Sequence, residues 1–229
     1  MNNKEIIQRK TKILATLGPS SKTIKKIIEL SKAGSNAFRL NCSHLSESDL
    51  EEYINKIRRA EEIIKKPIGV LVDLQGPKIR IGNVSEINNN LKKGDTFIFD
   101  NSKAIGNNKR VYLSNSKVFS SVKKGHLILI DDGNIHLKIT SIKKNLIRTK
   151  VIQGGILKSK KGVNLPQSDL KTSALSSADK KYIKIAKNSN VDWIALSFVQ
   201  KPSDIKELRK LCDNKISIMA KIEKPSALK

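Results

Sequence analysis

The sequence predicts an α/β fold, in which about five parallel strands form part of a barrel and a small all-β barrel domain is inserted between them. Three observations predict it. Short apolar, strand-like runs alternate with amphipathic helical runs, as in repeated strand–helix units. This alternation breaks near residue 82 and resumes after Pro166. Three of the strand-like runs also end in clusters of charged and amide side chains.

The first half of the predicted barrel contains three strands, at 12–17, 36–41 and 68–73. The third is continuously apolar and rich in β-branched residues, which is typical of a strand that is buried on both faces. Ser20 and Ser21 are predicted to cap the helix that follows the first strand. Ser48 and Glu51 fit a capping box for the helix that follows the second strand.

The predicted insertion shows short alternating strands separated by glycine turns, with a hairpin near Asp132. Strand–helix alternation then resumes with a helix that begins at 176–179, a strand at 192–199, a helix from Pro202 and a strand at 216–222. The predicted domains are a first barrel part at 1–81, an inserted β-rich domain at 82–166 and a second barrel part at 167–229. Because a closed barrel of this kind needs about eight strands, we expect the chain to be the N-terminal part of a longer protein.

The composition argues against several classes of protein. Among 229 residues, 45 are basic and 21 acidic, so the net charge of +24 raises nucleic acid as a partner. The lysines are scattered, however, without interleaved aromatic residues for base stacking, so a solvated surface is the favoured interpretation. No apolar stretch is long enough to span a membrane, and the N-terminus lacks the apolar core of a signal peptide. The two cysteines form no disulfide framework, which favours a cytoplasmic protein.

Polar residues follow three of the predicted strands. The second strand ends at Asn41, before Cys42, Ser43 and His44. The third runs into the segment DLQGPKIR, and the fifth contains Lys221 near its end and is followed by Glu223. The carboxyl ends of parallel barrel strands share one face, where their loops can converge on a ligand. The sequence therefore predicts one site there that handles phosphate and a metal ion.

Seven segments of the chain together resemble the pyruvate kinase family. In order they read RKTKILATLGPSS, NAFRLNCSH, VLVDLQGPKIR, ILIDDG, SKKGVNLP, DWIALSFVQ and IMAKIEKP. The resemblance implies a (β/α)8 TIM barrel with a mobile inserted lid and a C-terminal regulatory domain in a homotetramer. It also implies phosphoryl transfer from phosphoenolpyruvate to ADP, which gives pyruvate and ATP in glycolysis.

The resemblance implies a role for individual residues. Lys221 matches a catalytic lysine beside the transferring phosphoryl group, Arg39 an arginine that faces the phosphates, and Glu223 a ligand of Mg²⁺ or Mn²⁺. The residues that match nucleotide-binding positions are Arg80, His44, Asn41 and Lys161. For Asp132, a position facing the cleft and an ordinary surface position are equally favoured. The second metal carboxylate of the family would lie beyond residue 229, so the isolated chain is expected to be an inactive fragment.

The resemblance also bears on monovalent cations. Many members bind K⁺ at positions that match Asn41, Ser43, Asp73 and the carbonyl of Leu74, and these members have Glu at the position of Lys78. The lysine, like its neighbours Leu74, Gln75 and Ile81, resembles the branch that works without K⁺. An ammonium group can supply the positive charge that K⁺ otherwise provides. Two alternatives to an enzyme stay open, a basic nucleic-acid-binding protein and a scaffolding remnant without catalysis.

Overall fold

The computed structural model describes residues 9–168, 173–212, 214–223 and 225–228. These residues divide into two compact units. The first takes in the described residues up to Gly76 and those from Ser173 to Glu223, and the second takes in the others. The predicted domain boundaries at 81/82 and 166/167 remain predictions, and the expectation that no signal peptide is present concerns residues 1–8, which lie outside the described part.

The strands in chain order are β1 (Leu14–Thr16), β2 (Ala37–Asn41), β3 (Gly69–Asp73), β4 (Asn90–Leu91), β5 (Thr96–Asp100), β6 (Arg110–Tyr112), β7 (Leu127–Ile130), β8 (Ile135–Lys143), β9 (Leu146–Gln153), β10 (Gly155–Ile156), β11 (Val163–Asn164), β12 (Trp193–Leu196) and β13 (Ser217–Ala220). The α-helices are α1 (Ile24–Lys32), α2 (Glu47–Ile64), α3 (Val118–Ser121), α4 (Ser177–Asn188) and α5 (Pro202–Leu211). A 3-10 helix covers Pro225–Leu228.

The first unit is an α/β structure built on a five-stranded sheet in the order β1-β2-β3-β12-β13. Every neighbouring pair is parallel. The prediction of an α/β fold with five parallel strands is therefore confirmed. The central strands are almost wholly buried, with Val70, Val72, Ile194 and Leu196 at 0% exposure, because helices cover the sheet.

The helices of the first unit begin at capping residues, but two of the predicted caps are wrong. Thr23 caps α1 by accepting a hydrogen bond from the Lys26 amide, so Ser20 and Ser21 do not form the cap. The N-cap of α2 is Ser46, whose capping-box partner is Asp49, instead of Ser48 with Glu51. Both predicted starts lie within one turn of the observed one, because several Ser and Thr residues precede each helix.

The two later helices begin where the sequence predicts. Ser176 caps α4, and Asp179 completes its capping box. Pro202 occupies the first turn of α5, where its missing N–H costs no hydrogen bond. No helix in the described part of the chain is long and apolar enough to cross a membrane.

The second unit consists mainly of β-strands around its own apolar core. Its six-stranded sheet has the order β11-β7-β8-β9-β5-β6, and β4 pairs with β10 in a separate two-stranded sheet. The predicted hairpin is formed by β7 and β8, which pair in antiparallel fashion around Asp131–Asn134. Phe97 and Phe99 pack edge to face in this core. The short helix α3 also belongs to this unit, and a closed all-β barrel stays a prediction.

Candidate active site

The buried carboxylate of Asp73 is the centre of a polar cluster at the carboxyl ends of the parallel strands. Its side chain, the last of β3, is only 4% exposed. Arg39 of β2 donates from Nε and Nη2 to Asp73 Oδ2, over 2.7 and 2.6 Å. The guanidinium also donates from Nη1 to the hydroxyl of Thr16, the last residue of β1. Three neighbouring strand ends thus hold the guanidinium group in place.

Lys221, directly after β13, reaches the same carboxylate. Its Nζ lies 3.3 Å from both Asp73 oxygens, 2.9 Å from Ser197 Oγ and 3.2 Å from Glu223 Oε1. Ser197 in turn donates to the carbonyl of Leu74 over 2.7 Å, so its oxygen remains an acceptor for Lys221. Two cations therefore share one buried carboxylate, while their side chains are each 29% exposed.

The segment after β12 has an unusual backbone that supports Glu223. Phe198 has a φ of 57°, in the left-handed region that a bulky side chain rarely adopts. In this conformation its N–H donates to Glu223 Oε2 over 2.9 Å. The other Glu223 oxygen pairs with Lys221, so the carboxylate is fixed beside the cations. Strain of this kind persists only where the surroundings determine the conformation, and it is concentrated at functional sites.

The residues matched to a monovalent-cation site lie partly in this cluster. Asn41 and Asp73 are register partners on β2 and β3, and the Cys42 amide donates to the Asp73 carbonyl. Asn41 Oδ1 accepts a hydrogen bond from the Ser43 amide, which orders the turn that also contains His44. The fourth group, the Leu74 carbonyl, accepts from Ser197, as described above.

The second unit contains Arg80, Lys161, Asp132 and Lys78. Arg80 donates to the Lys160 carbonyl, and the Lys78 side chain passes close to Gly162. Lys161 pairs with Asp131 over 2.7 Å, and this hydrogen bond lowers the pKa of the Asp131 carboxyl group. Asp131, the residue before Asp132, is therefore the acid that pairs with this lysine, and the position of Asp132 relative to the cleft stays a prediction.

Three residues that contact the predicted site residues were not themselves predicted from the sequence. Thr16 and Ser197 belong to the cluster around Asp73, and Asp131 pairs with Lys161. Ser197 was overlooked because the fourth strand was predicted at 192–199, whereas β12 ends at Leu196. Had the strand been ended there, the same strand-end rule that selects Asp73 would have selected Ser197.

The donor chemistry of Glu223 fits one ligand of a hard divalent cation. Its carboxylate is 36% exposed and belongs to the strand-end cluster. The described residues contain no group of three or more His, Cys, Asp and Glu side chains that could hold a metal by themselves. Mg²⁺ commonly takes one or two protein carboxylates together with substrate oxygens and water, so a single ligand from this chain is sufficient for that mode.

Cys42 lies beside the cluster but is a poor nucleophile. Burial raises the pKa of its thiol well above the ordinary value, and the nearby carboxylates of Asp179 and Asp73 raise it further. A thiol of this kind stays protonated and unreactive at neutral pH. Cys42 therefore serves as a packing residue of the core.

Comparisons with known proteins agree with this geometry. The family model "Pyruvate kinase, barrel domain" matches residues 8–229. A pyruvate kinase of Methylorubrum extorquens is 42% identical over 220 residues, which cover 96% of this chain and 46% of that protein. Pyruvate kinases of Buchnera aphidicola and Thermotoga maritima are 41% and 36% identical, with 96% of this chain covered in each case. These two matches cover 47% and 48% of the respective relatives.

The chain spans about half the length of the curated relatives that it matches. The similarity runs through both units and includes every strand end that contributes to the cluster around Asp73. The chain therefore belongs to the pyruvate kinase family.

Proposed function

We propose that the protein containing this chain transfers a phosphoryl group from phosphoenolpyruvate to ADP and releases pyruvate and ATP, as a step of glycolysis. The observation that supports this most directly is the placement of Arg39 and Lys221 on the one buried carboxylate of Asp73. Two fixed cations at the ends of parallel strands are suited to an anionic substrate that gains charge as it reacts.

Arg39 and Lys221 have different roles in the proposed reaction. The bond between phosphorus and the enolate oxygen breaks, a bond to the terminal phosphate oxygen of ADP forms, and the enolate carbon then takes up a proton. Lys221 stabilises the negative charge on the enolate oxygen and the phosphoryl group, and Arg39 orients the phosphoryl oxygens. Asp73 and Ser197 keep Lys221 in place, because both lie within hydrogen-bonding distance of its Nζ.

Glu223 is proposed as a protein ligand of Mg²⁺ or Mn²⁺. When bound, the ion would neutralise phosphate charge and bridge the enzyme to its substrate. The backbone N–H of Phe198 orients the carboxylate for this role, and Lys221 limits its movement from the other side. Nucleotide binding is proposed for Asn41 and His44 in the first unit and for Arg80 and Lys161 in the second, on the basis of the family resemblance.

Independence of K⁺ is a finer proposal, and it depends on Lys78. By the family resemblance, a lysine at this position takes over the positive charge of K⁺ and repels a second cation from the positions that match Asn41, Ser43, Asp73 and Leu74. We predict that the full-length enzyme is active without K⁺ and that Lys78→Glu makes its activity depend on K⁺. Lys93→Glu is the matched control, since it makes the same change of charge at an exposed turn.

The K⁺ titration separates this proposal from the general one. Pyruvate formation is followed in K⁺-free buffer and again after addition of KCl, for the unmodified enzyme and both variants. Activity of the unmodified enzyme that collapses without K⁺ and returns with KCl contradicts the proposed role of Lys78, although phosphoryl transfer itself would stand.

The remaining proposals concern the whole protein. They are a cytoplasmic location, a homotetramer, and a second unit that acts as an inserted lid.

The 229-residue chain alone is expected to give no turnover, because the open edges of the sheet and the missing second metal carboxylate leave the site incomplete. The proposed phosphoryl transfer is tested by measuring pyruvate formation from phosphoenolpyruvate, ADP and Mg²⁺ with the full-length protein and with the 229-residue chain. The proposal fails if the full-length protein forms no pyruvate.

The high positive charge is the one observation behind a second candidate, a nucleic-acid-binding protein without catalysis. Salt-sensitive retention on DNA, together with no measurable binding of ADP or phosphoenolpyruvate, would support it. The geometry around Asp73 favours the phosphotransferase, since base stacking has no part in that cluster.

A further inference from the structure

Asp179 is a buried acid whose carboxylate joins two distant parts of the first unit. It is the third residue of α4 and has 0% exposure. Its Oδ2 accepts from the amide and the hydroxyl of Ser176, over 2.8 and 2.6 Å, which completes the cap of the helix. Its Oδ1 accepts from the amides of Gln75 and Gly76, over 3.0 and 3.3 Å. These two residues lie more than 100 positions earlier in the chain.

The capping box alone does not explain this arrangement, as a comparison with α2 shows. There Asp49 accepts from the amide and the hydroxyl of Ser46, over 3.1 and 2.6 Å, in the same pattern. Asp49 is only partly buried, and the hydrogen bonds described for it all lie within its own helix start. Capping therefore requires neither full burial nor the second pair of bonds, and in Asp179 the second oxygen has another role.

The segment that Asp179 holds connects directly to the cluster around Asp73. Gln75 and Gly76 follow Leu74, whose carbonyl accepts from Ser197. Gly76 has a φ of +65°, and a Cβ there would lie 2.8 Å from the Phe198 ring, so this turn packs against the strained segment after β12. A shift of Gln75 and Gly76 would consequently displace both Asp73 and Ser197.

Helix α4 supports the neighbouring loop as well. The hydroxyl of Tyr182 donates to the Leu45 carbonyl over 2.6 Å, in the loop that follows β2. Burial raises the pKa of Tyr182, so the phenol keeps this proton at neutral pH. The first turns of α4 thus fix the loops after both β2 and β3, which are the strands that contain Arg39 and Asp73.

We propose that Asp179 is a positioning residue of the active site, in which it fixes the Gln75–Gly76 turn and through it the Asp73 carboxylate that orients Arg39 and Lys221. This deepens the proposed function and depends on it only for the effect on turnover. Asp179 itself does not touch the substrate. Its loss is expected to lower kcat while the KM for ADP changes little, because the groups proposed to bind the nucleotide are held by other contacts.

The test compares Asp179→Asn with Asp49→Asn. An amide keeps the size of the carboxylate but has one acceptor oxygen, so it can satisfy either the cap or the turn. Hydrogen exchange is measured by mass spectrometry on a peptide that spans Gln75 and Gly76, in the full-length protein. We expect exchange there to be about tenfold faster in Asp179→Asn, as for loss of one hydrogen bond, and unchanged in Asp49→Asn.

Turnover provides the second measurement. Asp179→Asn is expected to lower kcat about tenfold or more with less than about a threefold change in the KM for ADP, and Asp49→Asn to change neither. Equal effects of the two variants on exchange would overturn the proposal, and so would unchanged exchange in Asp179→Ala, whose side chain has no acceptor for either the cap or the turn. A failure of the enzyme to form pyruvate would leave the exchange result standing and would count against the proposed function alone.

A measurement on the unmodified protein covers the case in which Asp179→Asn does not fold. The amides of Gln75 and Gly76 should then exchange as slowly as those of the adjoining strand β3. Exchange at the rate of an unstructured peptide would show that no hydrogen bond fixes the turn, and the proposal would be wrong.

Discussion

The two ends of the parallel sheet both contain an arginine bound to carboxylates, but they use it differently. At the amino ends, Arg58 of α2 donates to Glu61, to Asp192 and to the carbonyls of Ile68 and Asn190. One cation there meets two carboxylates and two carbonyl oxygens. At the carboxyl ends, the cations Arg39 and Lys221 share one buried carboxylate.

The difference lies in how far the protein itself uses the hydrogen-bond donors of each arginine. The Nη1 and Nη2 groups of Arg58 donate all the hydrogen bonds described for them to protein groups. Burial tends to lower the pKa of Arg58, but the hydrogen bonds to Asp192 and Glu61 outweigh burial and raise the pKa. Around Asp73 the hydrogen bonds of the Arg39 guanidinium within the described part of the chain go to Asp73 and Thr16 alone, so this group has N–H donors left for an anionic ligand. The amino end joins elements of the fold, whereas the carboxyl end has binding capacity left for a substrate.

The largest expected effect is loss of activity from Lys221→Met in the full-length enzyme. The two side chains have similar volume, so the variant removes chiefly one positive charge where negative charge develops, and kcat should fall by at least about a thousandfold. Lys215→Met is the matched control, because Lys215 precedes the same strand β13 at the amino end. Pyruvate formation measures both, and thermal unfolding shows whether the fold is kept. Near-normal turnover of Lys221→Met would contradict the contrast between the two ends.

Arg58→Met is expected to lower stability and to leave the Asp73 cluster intact, which is the opposite of the effect expected from Lys221→Met. Two carboxylates and two carbonyl groups lose their shared donor, which should lower the free energy of unfolding by about 1.5–3 kcal/mol, while the contacts around Asp73 are untouched. Arg59→Met is the control, since it also pairs with a glutamate three residues on, but its side chain is 65% exposed. The control should cost less than about 0.5 kcal/mol. Chemical denaturation measures both values, and equal costs would refute a structural role for the amino-end cluster.

The strands of the first unit could be predicted because burial on both faces leaves a clear apolar pattern. The positions of Arg39, Asp73 and Lys221 at strand ends followed from the same reasoning, although their catalytic roles remain predictions. The exact start of α2 could not be predicted, because Ser46–Asp49 and Ser48–Glu51 both fit a capping box and overlap in sequence. The structure uses the earlier pair, which adds helical hydrogen bonds before the buried residue Leu50.

The contacts between distant segments could not be obtained from the pattern. The sequence shows Asp179 as the end of a local capping box, and nothing nearby indicates its bonds to Gln75 and Gly76. The left-handed conformation of Phe198 was equally hidden, since a phenylalanine in an apolar run predicts a continuing strand. Both features depend on tertiary packing, and both belong to the strand-end cluster.

The smallest expected effect tests whether the amino end of the sheet is purely structural. Ser31 of α1 is 1% exposed, and its hydroxyl has no hydrogen-bond partner among the described residues. Since a buried hydroxyl without a partner is unfavourable and alanine is the better helix former, Ser31→Ala should raise the free energy of unfolding by about 1 kcal/mol and leave activity unchanged. Thr149→Val is the contrasting variant, because the Thr149 hydroxyl donates to the Phe97 carbonyl over 2.8 Å. That variant should lose about 1 kcal/mol in the same denaturation experiment. A loss of stability in Ser31→Ala would contradict this prediction and would show that the Ser31 hydroxyl makes a hydrogen bond in solution.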